Sequence, residues 1–378
     1  MKNTCTTALI ITILFATMPN ALACNTVADC NVQGDFHRAD KLYLERSYAP
    51  TQNSSSDSSY TPLPDIGATL SNIWQRSQSN AEPVRELTNN EKIARNEAAG
   101  DDGDAKSAAI AGDVYRIGWG GAPKDERLAL KWYEKAAALG NVESQVEVGW
   151  AYWKGKTLEK NATTAAKWFE MAAKNGNTEA QSFLGALYGT GEGVTKDAAQ
   201  SAQWHLKAAA GGNGNSQYIV GLLYKDGDYL AKDPVQAAKW IRAAAEQGHT
   251  NAQYALGNSY HDGNGIAQDY ALAFKWFSAA AEKGHVDAQF NLAVMYLKGE
   301  GMDKDAKKAV TWFTKAAEGG EVSAQFSICG FYYYGIGVSI DDRMAEFWCK
   351  RAADQKHEKA TTLLTRIRAE VKEFGYRE

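Results

Sequence analysis

Tryptophan recurs at a fixed interval through more than half of this chain. Seven tryptophans follow one another at steps of 36 residues: Trp132, Trp168, Trp204, Trp240, Trp276, Trp312 and Trp348. A small residue, a Gln and a Tyr keep the same step, as at Ala252, Gln253 and Tyr260. An interval of this length, kept over seven units, predicts a stack of small structural repeats rather than one closed core.

Each unit contains two segments in which apolar residues have helical spacing. In the unit that starts at Ala252, the first segment extends to His261, and the second carries Ala273 and Phe277 on one face. We expect Asp269 to cap the second helix, because a carboxylate can accept hydrogen bonds from the free N–H groups of the first turn. Each unit therefore reads as an antiparallel helix pair that buries its apolar faces against neighbouring pairs.

Glycine recurs inside the first helix of several units, where it costs up to about 1 kcal/mol relative to Ala. The positions concerned are Gly149, Gly185, Gly221 and Gly257. Because this loss of helix stability recurs at the same position, we expect a packing requirement that recurs with it. The sequence predicts a close approach of the second helix at these points, with the two backbones nearly in contact.

The stretch "LGNSYHDGNGIAQDYALAFKWFSAAAEKG", residues 256–284, resembles the Sel-one-like repeat family, a relative of the tetratricopeptide repeats. The resemblance covers about 105–356, and the first unit departs from it by one extra residue between Tyr115 and Trp132. It implies an all-α fold, a right-handed superhelical solenoid of antiparallel helix pairs with 36-residue repeats. We expect capping helices within 81–104 and 357–378, the first near 82–99 and the second over 360–374.

The chain begins with the features of an export signal. Residues 1–23 contain a basic Lys2, a short apolar run and the small residues Ala21 and Ala23 before the expected cleavage site. A polar, Ser-rich stretch fills much of 24–80 and predicts a flexible linker. We therefore expect a periplasmic or secreted protein. Because Cys24 follows the cleavage site, a lipid anchor is the alternative, and we expect membrane contact only in that case.

Four cysteines remain after removal of the signal: Cys24, Cys30, Cys329 and Cys349. An exported protein meets oxidising conditions, and four cysteines allow three pairings. By the family resemblance, Cys329 and Cys349 replace a Gly and an aromatic residue that face each other across the last helix pair. The resemblance thus implies a Cys329–Cys349 disulfide and leaves Cys24 to pair with Cys30.

No catalytic constellation is visible in the sequence. Gly-x-Gly recurs, for example at Gly263 and Gly265, but it follows no predicted strand, so we interpret these glycines as turn residues. His249 and His285 lie between units and are predicted to be solvated loop residues. We expect no metal, no cofactor and no enzymatic activity. The nearly balanced charge, 41 basic against 45 acidic residues, does not favour nucleic acid as a partner.

The resemblance instead implies a protein partner that is held by the concave face of the solenoid, which the first helices line. Aromatic side chains are frequent at the matching positions, and aromatic residues often anchor interfaces. The predicted partner-binding residues are Trp150, Trp153, Tyr218, Tyr254, Asn258, His261, Asp262, Phe290, Phe326, Tyr333 and Tyr334. Trp150, Trp153, Tyr333 and Tyr334 depart from the repeat pattern, so packing alone explains them less well.

The function predicted from the sequence is thus a non-catalytic scaffold that binds a protein. An immunity or regulatory protein of the bacterial periplasm is one form of this role. A secreted protein that engages host proteins is an alternative. A different class, an envelope-associated hydrolase, would depend on His261 and Asp262 as its candidate groups.

Overall fold

The computed structural model describes residues 87–377, and within this range every regular element is a helix. The all-α fold that the sequence predicts, built from helix pairs at 36-residue intervals, is confirmed. The described residues form two compact units, 87–197 and 198–377. The predicted signal peptide, the linker, Cys24 and Cys30 lie outside the described residues.

The unit 87–197 contains six α-helices. They are α1 (Asn89–Asp101), α2 (Ala105–Ile117), α3 (Glu126–Ala138), α4 (Val142–Lys154), α5 (Ala162–Lys174) and α6 (Thr178–Thr190), with a short 3-10 turn at Trp119–Gly121. The even-numbered helices α2 and α4 are followed by α3 and α5, with which they form pairs. We call the earlier member of each pair its first helix and the later member its second helix.

The unit 198–377 contains ten α-helices. They are α7 (Ala198–Ala210), α8 (Gly214–Asp226), α9 (Pro234–Glu246), α10 (Thr250–Asp262), α11 (Tyr270–Glu282), α12 (Val286–Lys298), α13 (Ala306–Glu318), α14 (Val322–Tyr334), α15 (Asp342–Asp354) and α16 (Glu358–Phe374). Four first helices, α8, α10, α12 and α14, pair with α9, α11, α13 and α15. The helix α16 packs on α15 and α14.

Local sequence signals set the ends of these helices. The Asp269 carboxylate accepts a hydrogen bond from the Leu272 N–H at 2.9 Å, so the predicted cap of α11 is confirmed. The preceding helix α10 ends at Gly263, which has the left-handed φ of 71°. Glycine adopts that conformation without steric cost, which explains its recurrence at the end of first helices.

The second glycine of each Gly-x-Gly turn lies against the backbone of the preceding repeat. Gly265 has φ of 75°, and a Cβ atom there would lie 1.9 Å from the Pro234 carbonyl oxygen. At Gly301 the corresponding distance, to the Tyr270 carbonyl oxygen, is 2.4 Å. No other residue fits at such distances, and the interpretation of these glycines as turn residues is confirmed.

The glycines inside first helices have a related but different role. A Cβ atom on Gly257 would lie 2.6 Å from Cδ1 of Phe277, and one on Gly149 would lie 2.9 Å from Cε1 of Phe169. The close approach is thus made by an aromatic side chain of the second helix. The expectation that two backbones meet is wrong at Gly149 and Gly257, because the ring lies between the helices. At Gly221 the backbone does come close, since a Cβ atom there would lie 3.2 Å from the Ile241 nitrogen and 3.3 Å from the Ala237 oxygen.

From α4 to α14, each even-numbered helix carries a glutamine that ties it to the helix before it. Its side-chain Nε2 donates to a backbone carbonyl eight residues earlier, as from Gln253 to Ala245 at 3.2 Å and from Gln289 to Ala281 at 3.2 Å. These glutamines are buried, and the carbonyl they reach also accepts a backbone N–H three residues later, as Ala245 does from Gly248 at 2.9 Å. The glutamine therefore adds a second hydrogen bond to that carbonyl, one that joins two helices. The same bond occurs at Gln145, Gln181, Gln217 and Gln325.

Each of the two flanking helices is capped by the residue that precedes it. Helix α1 begins at Asn89, later than the position near 82 that the sequence predicts. Thr88 accepts from the Glu91 N–H, and the Glu91 carboxylate accepts from the Thr88 N–H in return. Helix α16 begins at Glu358, where His357 caps it, and it ends at Phe374.

A disulfide joins Cys329 of α14 to Cys349 of α15. Both cysteines are fully buried within the last helix pair. This is the pairing that the family resemblance implies. It fixes the two helices of the last repeat to each other near the middle of their contact.

Candidate partner-binding surface

The first helices of the unit 198–377 carry a row of side chains four residues apart, which places them on one helix face. We call this row the first-helix stripe. It consists of Tyr218, Leu222 and Asp226 on α8, Tyr254, Asn258 and Asp262 on α10, Phe290, Val294 and Lys298 on α12, and Phe326, Gly330 and Tyr334 on α14. Seven of the eleven predicted partner-binding residues belong to this stripe.

Part of the stripe is exposed and part is buried. Tyr218, Tyr254 and Asn258 are half-buried, and Asp262 is exposed. By contrast, Phe290 and Phe326 have only 3% and 7% of their surface exposed. The exposed part of the stripe therefore runs along α8 and α10 and continues to Lys298 and Tyr334, while the two phenylalanines belong to the core.

Contacts between repeats hold neighbouring parts of the stripe in register. The Tyr218 ring stacks on His249 with centroids 4.7 Å apart, and the Tyr254 ring stacks on His285 at 4.4 Å. The Asn291 side-chain amide donates to Asn258 Oδ1 at 3.3 Å. Each aromatic residue thus packs on the residue that opens the next first helix, so the stripe is a fixed surface rather than a set of independent side chains.

His249 and His285 have a structural role that the sequence interpretation missed. The Nδ1 atom of His249 accepts the Ala252 N–H at 3.1 Å, and that of His285 accepts the Ala288 N–H at 3.3 Å. Burial lowers the pKa of His249 to about 4 and also lowers the pKa of His285. The prediction of solvated loop residues was wrong, because both rings are neutral N-caps stacked on tyrosines.

His261 lies at the end of α10 between two carboxylates. Its Nδ1 is 2.7 Å from Asp262 Oδ1, and its Nε2 is 3.2 Å from Glu300 Oε2. The hydrogen bond to Asp262 is the main cause that raises the pKa of His261, against the opposing effect of burial. Lys298 lies 3.4 Å from the other oxygen of Glu300. The sequence interpretation missed Glu300, which is 39 residues away in the chain.

This geometry gives His261 a positioning role. A general base needs a ring nitrogen that can face a substrate, and both nitrogens of His261 are engaged by carboxylates. The imidazole side chain has 11% of its surface exposed, and Asp262 is the exposed member of the group. The arrangement supports a charged surface patch held by His261, and it gives no support to the hydrolase alternative.

In the unit 87–197, the two predicted tryptophans of α4 meet an aromatic cluster. Trp150 is buried, with its ring 4.9 Å from Phe169 and 4.5 Å from Phe183. Trp153 is half-buried, with its ring edge-on to Phe183 at 5.0 Å and Lys160 Nζ at 5.0 Å from its centroid. Trp153 is therefore the accessible member of the pair, and Trp150 fills the interior.

Tyr333 and Tyr334 end α14 and differ in the same way. Tyr333 is buried, and its hydroxyl donates to the Glu370 carboxylate at 2.7–2.8 Å. Tyr334 is half-buried and packs edge-on against the Tyr333 ring at 4.7 Å. Glu370 and the arginines around Tyr333 belong to α16 and to the segment after it, whose contacts no repeat pattern could predict.

Five of the eleven predicted residues are therefore core or buried groups: Trp150, His261, Phe290, Phe326 and Tyr333. The other six reach the surface to different extents: Trp153, Tyr218, Tyr254, Asn258, Asp262 and Tyr334. The structure brings Tyr254, Asn258 and Asp262 together on α10. Trp153 belongs to the other unit.

Between residues 87 and 377, no group of three or more His, Cys, Asp or Glu side chains is arranged to hold a metal ion. In the same range, no helix combines the length and apolar character that crossing a membrane requires.

Comparison with solved structures finds similar repeat proteins. A protective antigen of uropathogenic Escherichia coli strains, described as having an SLR fold, is 30% identical with a TM-score of 0.67, over 80% of this chain and 64% of that one. This chain thus spans less than two thirds of that antigen's length. A Sel1 repeat protein from Oxalobacter formigenes is 27% identical with a TM-score of 0.51, over 76% of this chain and 98% of that one.

An immunity protein from Pseudomonas aeruginosa is also similar, at 21% identity and a TM-score of 0.31, over 60% of this chain and 85% of that one. That likeness is too slight to transfer a role. No curated protein matches the chain.

The Sel1 repeat family model matches seven consecutive segments. They are 105–141, 142–177, 178–213, 214–249, 250–285, 286–321 and 322–357. Each segment contains two of the α-helices, and together the segments cover more than half of the chain. This chain therefore belongs to the Sel1 repeat family.

Proposed function

We propose that this protein is an exported, non-catalytic scaffold that binds a protein partner through the exposed part of the first-helix stripe. Sel1 repeat proteins mediate protein–protein interactions, and their repeated helix pairs form a scaffold suited to that role. The identity of the partner is set by side chains that the repeat does not prescribe. Asn258, Asp262 and Tyr334 are side chains of this kind, and they belong to the stripe.

The observation that carries the proposal is the contrast between fixed and variable positions on the same helices. The glutamine and the small residue before it keep their place in repeat after repeat, since they hold the fold. The middle position of the stripe is Leu222, Asn258, Val294 or Gly330 in successive repeats. Val294 and Gly330 are buried, so the variable surface consists of half-buried Leu222 and Asn258 with the last residue of the stripe on each helix. A surface that differs from repeat to repeat gives a partner distinct contacts along its length.

The chemical character of the exposed part indicates the kind of partner. Tyr218 and Tyr254 offer aromatic faces whose positions are fixed by stacking on histidines, which limits the entropy lost on binding. The last positions of the stripe are Asp226, Asp262, Lys298 and Tyr334. A folded protein surface with both apolar and charged groups fits this pattern better than a uniformly charged polymer.

Site-specific photocrosslinking tests the proposal directly. A benzophenone amino acid is placed at Tyr254, and a matched control carries it at Lys239, an exposed residue of the second helix α9. We expect a covalent adduct from the native compartment at position 254 and not at 239. Equal adducts at both positions, or adducts at 239 alone, would exclude the stripe as the binding surface.

The test has a second arm that measures binding energy. Once the adduct identifies a partner, replacement of Tyr254 and Asn258 by Ala should weaken its binding at least about tenfold, as for the centre of a protein interface. Replacement of Lys239 and Lys307, exposed on second helices, should leave binding within about twofold. Unchanged binding in the first variant would place the interface elsewhere.

Export is the second part of the proposal, and residues 1–23 support it. Mass spectrometry of the mature protein should find a chain that begins at Cys24. An added lipid mass on Cys24 would instead indicate an anchored scaffold, and a chain that keeps residues 1–23 would contradict export.

An immunity or regulatory role is a narrower form of the same proposal, in which binding blocks the partner. It predicts that the captured partner loses its activity when the wild-type protein is added and keeps it when the Tyr254→Ala/Asn258→Ala variant is added. A partner recovered from host extract rather than from the periplasm would favour the secreted alternative.

A further inference from the structure

The segment Gly375–Arg377 turns back after α16 and lies along the start of α15. Gly375 has φ of 81° and ψ of 175°, an extended conformation that is open almost only to glycine. The Asp342 N–H donates to the Arg377 carbonyl at 3.1 Å, and the Arg377 N–H donates to Asp342 Oδ2 at 2.8 Å. Both main-chain groups of Arg377 are thus engaged by one residue, the carbonyl by the Asp342 N–H and the N–H by the Asp342 carboxylate, a mode of contact open to an extended peptide.

The Arg377 side chain donates hydrogen bonds to both oxygens of the Asp342 carboxylate. Its Nη2 donates to Asp342 Oδ1 at 2.8 Å, and its Nε donates to Asp342 Oδ2 at 3.0 Å. The Asp342 side chain has only 3% of its surface exposed. Burial by itself would raise the pKa of Asp342, but the hydrogen bonds from Arg377 outweigh it and lower the pKa. This bidentate geometry suits arginine and not lysine.

The Tyr333 ring and the Glu370 carboxylate also lie against the Arg377 side chain. We call these two groups, together with the Asp342 carboxylate, the arginine cage. The guanidinium carbon lies 4.9 Å from the centroid of Tyr333. Glu370 Oε2 lies 3.9 Å from Arg377 Nη2 and also accepts from the Tyr333 hydroxyl. The cage is thus preorganised, because Tyr333 and Glu370 fix each other independently of Arg377.

The preceding residue of the segment has its own contact. The Tyr376 hydroxyl donates to Glu346 Oε2 at 2.9 Å. Arg368 also donates to Glu346, at 2.7 Å to its other oxygen. Two successive side chains of an extended segment therefore find separate acceptors on α15.

We propose that the last repeat contains a binding site for an arginine-bearing extended peptide segment, which Gly375–Arg377 fills within the same chain. A tethered segment acts at an effective concentration of about a millimolar or more, so it keeps the site closed to a weak competitor. A partner that offers an arginine in the same extended setting displaces it. This site lies outside the first-helix stripe, so either proposal can be wrong while the other is right.

The experiment compares the full chain with a shortened chain that stops at Phe374. The probe is a fluorescein-labelled peptide of residues 373–378, EFGYRE, with both ends blocked. Fluorescence anisotropy should show saturable binding to the shortened chain. The full chain should bind at least about tenfold more weakly, because its own segment competes at high effective concentration.

Peptide variants test recognition without any change to the protein. Replacement of the arginine by citrulline, which is nearly isosteric but neutral, should weaken binding at least about tenfold, and Arg377→Lys should also weaken it because the bidentate contact is lost. On the protein side, Asp342→Asn should abolish binding to the shortened chain. The matched control Asp354→Asn changes an exposed carboxylate of the same helix and should leave binding unchanged.

The results distinguish a peptide-binding site from a contact that only stabilises the fold. Equal binding of the citrulline peptide, or no binding by a shortened chain that keeps its helical circular dichroism and its disulfide, would overturn the proposal. Should the shortened chain fail to fold, the full-length Arg377→Ala variant takes its place. It must then bind the peptide at least about tenfold more tightly than the wild type does, because its own segment no longer fills the cage.

Discussion

The interior repeat 250–285 and the last repeat 322–357 join their first and second helices by two different contacts at the same position. In both, a residue in the middle of the first helix faces the residue that follows the recurring tryptophan of the second helix. In the interior repeat these are Gly257 and Phe277, and a Cβ atom on the glycine would lie 2.6 Å from the ring. In the last repeat the equivalent residues are Cys329 and Cys349, which form a disulfide.

The difference teaches where a repeat protein adds stability. An interior repeat is held on both sides by neighbouring pairs, so a ring packed on glycine suffices. The last repeat has α16 and the segment Gly375–Arg377 on one side instead of another pair. End repeats of stacked proteins open most readily, and a covalent link between the two helices opposes that opening.

The largest effect should come from removal of the disulfide. Cys329→Ala/Cys349→Ala should lower the free energy of opening the last repeat by about 3 kcal/mol, as for a bridge across a loop of about 20 residues. Hydrogen exchange measured by mass spectrometry should show the loss of protection in α14 and α15 but not in α10 and α11. Reduction of the wild type should reproduce it, and equal loss in both repeats would contradict the comparison.

Conversion of the last repeat to the interior type should recover part of that loss. In Cys329→Gly/Cys349→Phe, the ring refills the space that the double alanine variant leaves empty, which restores about 2 kcal/mol. Protection of α14 and α15 should then no longer depend on dithiothreitol. A variant less protected than the double alanine variant would show that the two solutions are not interchangeable.

Acid should change the stability of the two repeats in opposite directions, because their N-cap residues have different pKa shifts. Burial lowers the pKa of His249, the N-cap of α10, from 6.5 to about 4. The neutral ring therefore contributes stability that is present above pH 6.5 and is lost as the pH falls toward 4, where the cap becomes protonated. The N-cap of α14 is Glu321, whose pKa is raised by burial, so acid has the opposite effect there.

His249→Asn isolates this contribution, since Asn213 already caps α8 in the same way. The variant should keep its protection of α10 between pH 7 and pH 4, while the wild type loses about 1–2 kcal/mol relative to it. Hydrogen exchange of α10, corrected for the intrinsic pH dependence, provides the measurement. Parallel behaviour of the two proteins would mean that His249 does not titrate in this range.

The repeat architecture was predictable because the residues that form it recur at a constant interval in the sequence. The tryptophan step, the closing glycines and the cap Asp269 each depend on residues within one unit, so local rules suffice for them. The family pattern also pointed to the Cys329–Cys349 pairing. Even the burial of Phe290 and Phe326 follows from packing rules, although the sequence analysis placed them on a binding face.

The surface contacts were less predictable because they join residues from different repeats. Glu300 reaches His261 across 39 positions, and His285 is stacked on Tyr254 because one repeat follows another. Asp342 is paired with Arg377 from beyond the last repeat. The pairs of His261 with Glu300 and of Asp342 with Arg377 each occur once, so no interval in the sequence signals them. The tyrosine–histidine stack does recur at the repeat interval, but its contact depends on how the helices stack in three dimensions.

The smallest effect should come from His261, which titrates in the opposite sense to His249 within the same helix pair. The hydrogen bond to Asp262, with that to Glu300, raises the pKa of His261 against burial. The charged ring thus contributes stability that is fully present below pH 6.5 and is lost as the pH rises through its folded value. We expect the wild type to lose roughly 0.5–1 kcal/mol between pH 6 and pH 8 relative to His261→Gln, which does not titrate. Hydrogen exchange at the end of α10 in both proteins measures the difference, and a gain by the wild type over this range would show that the carboxylates do not hold the ring in its charged form.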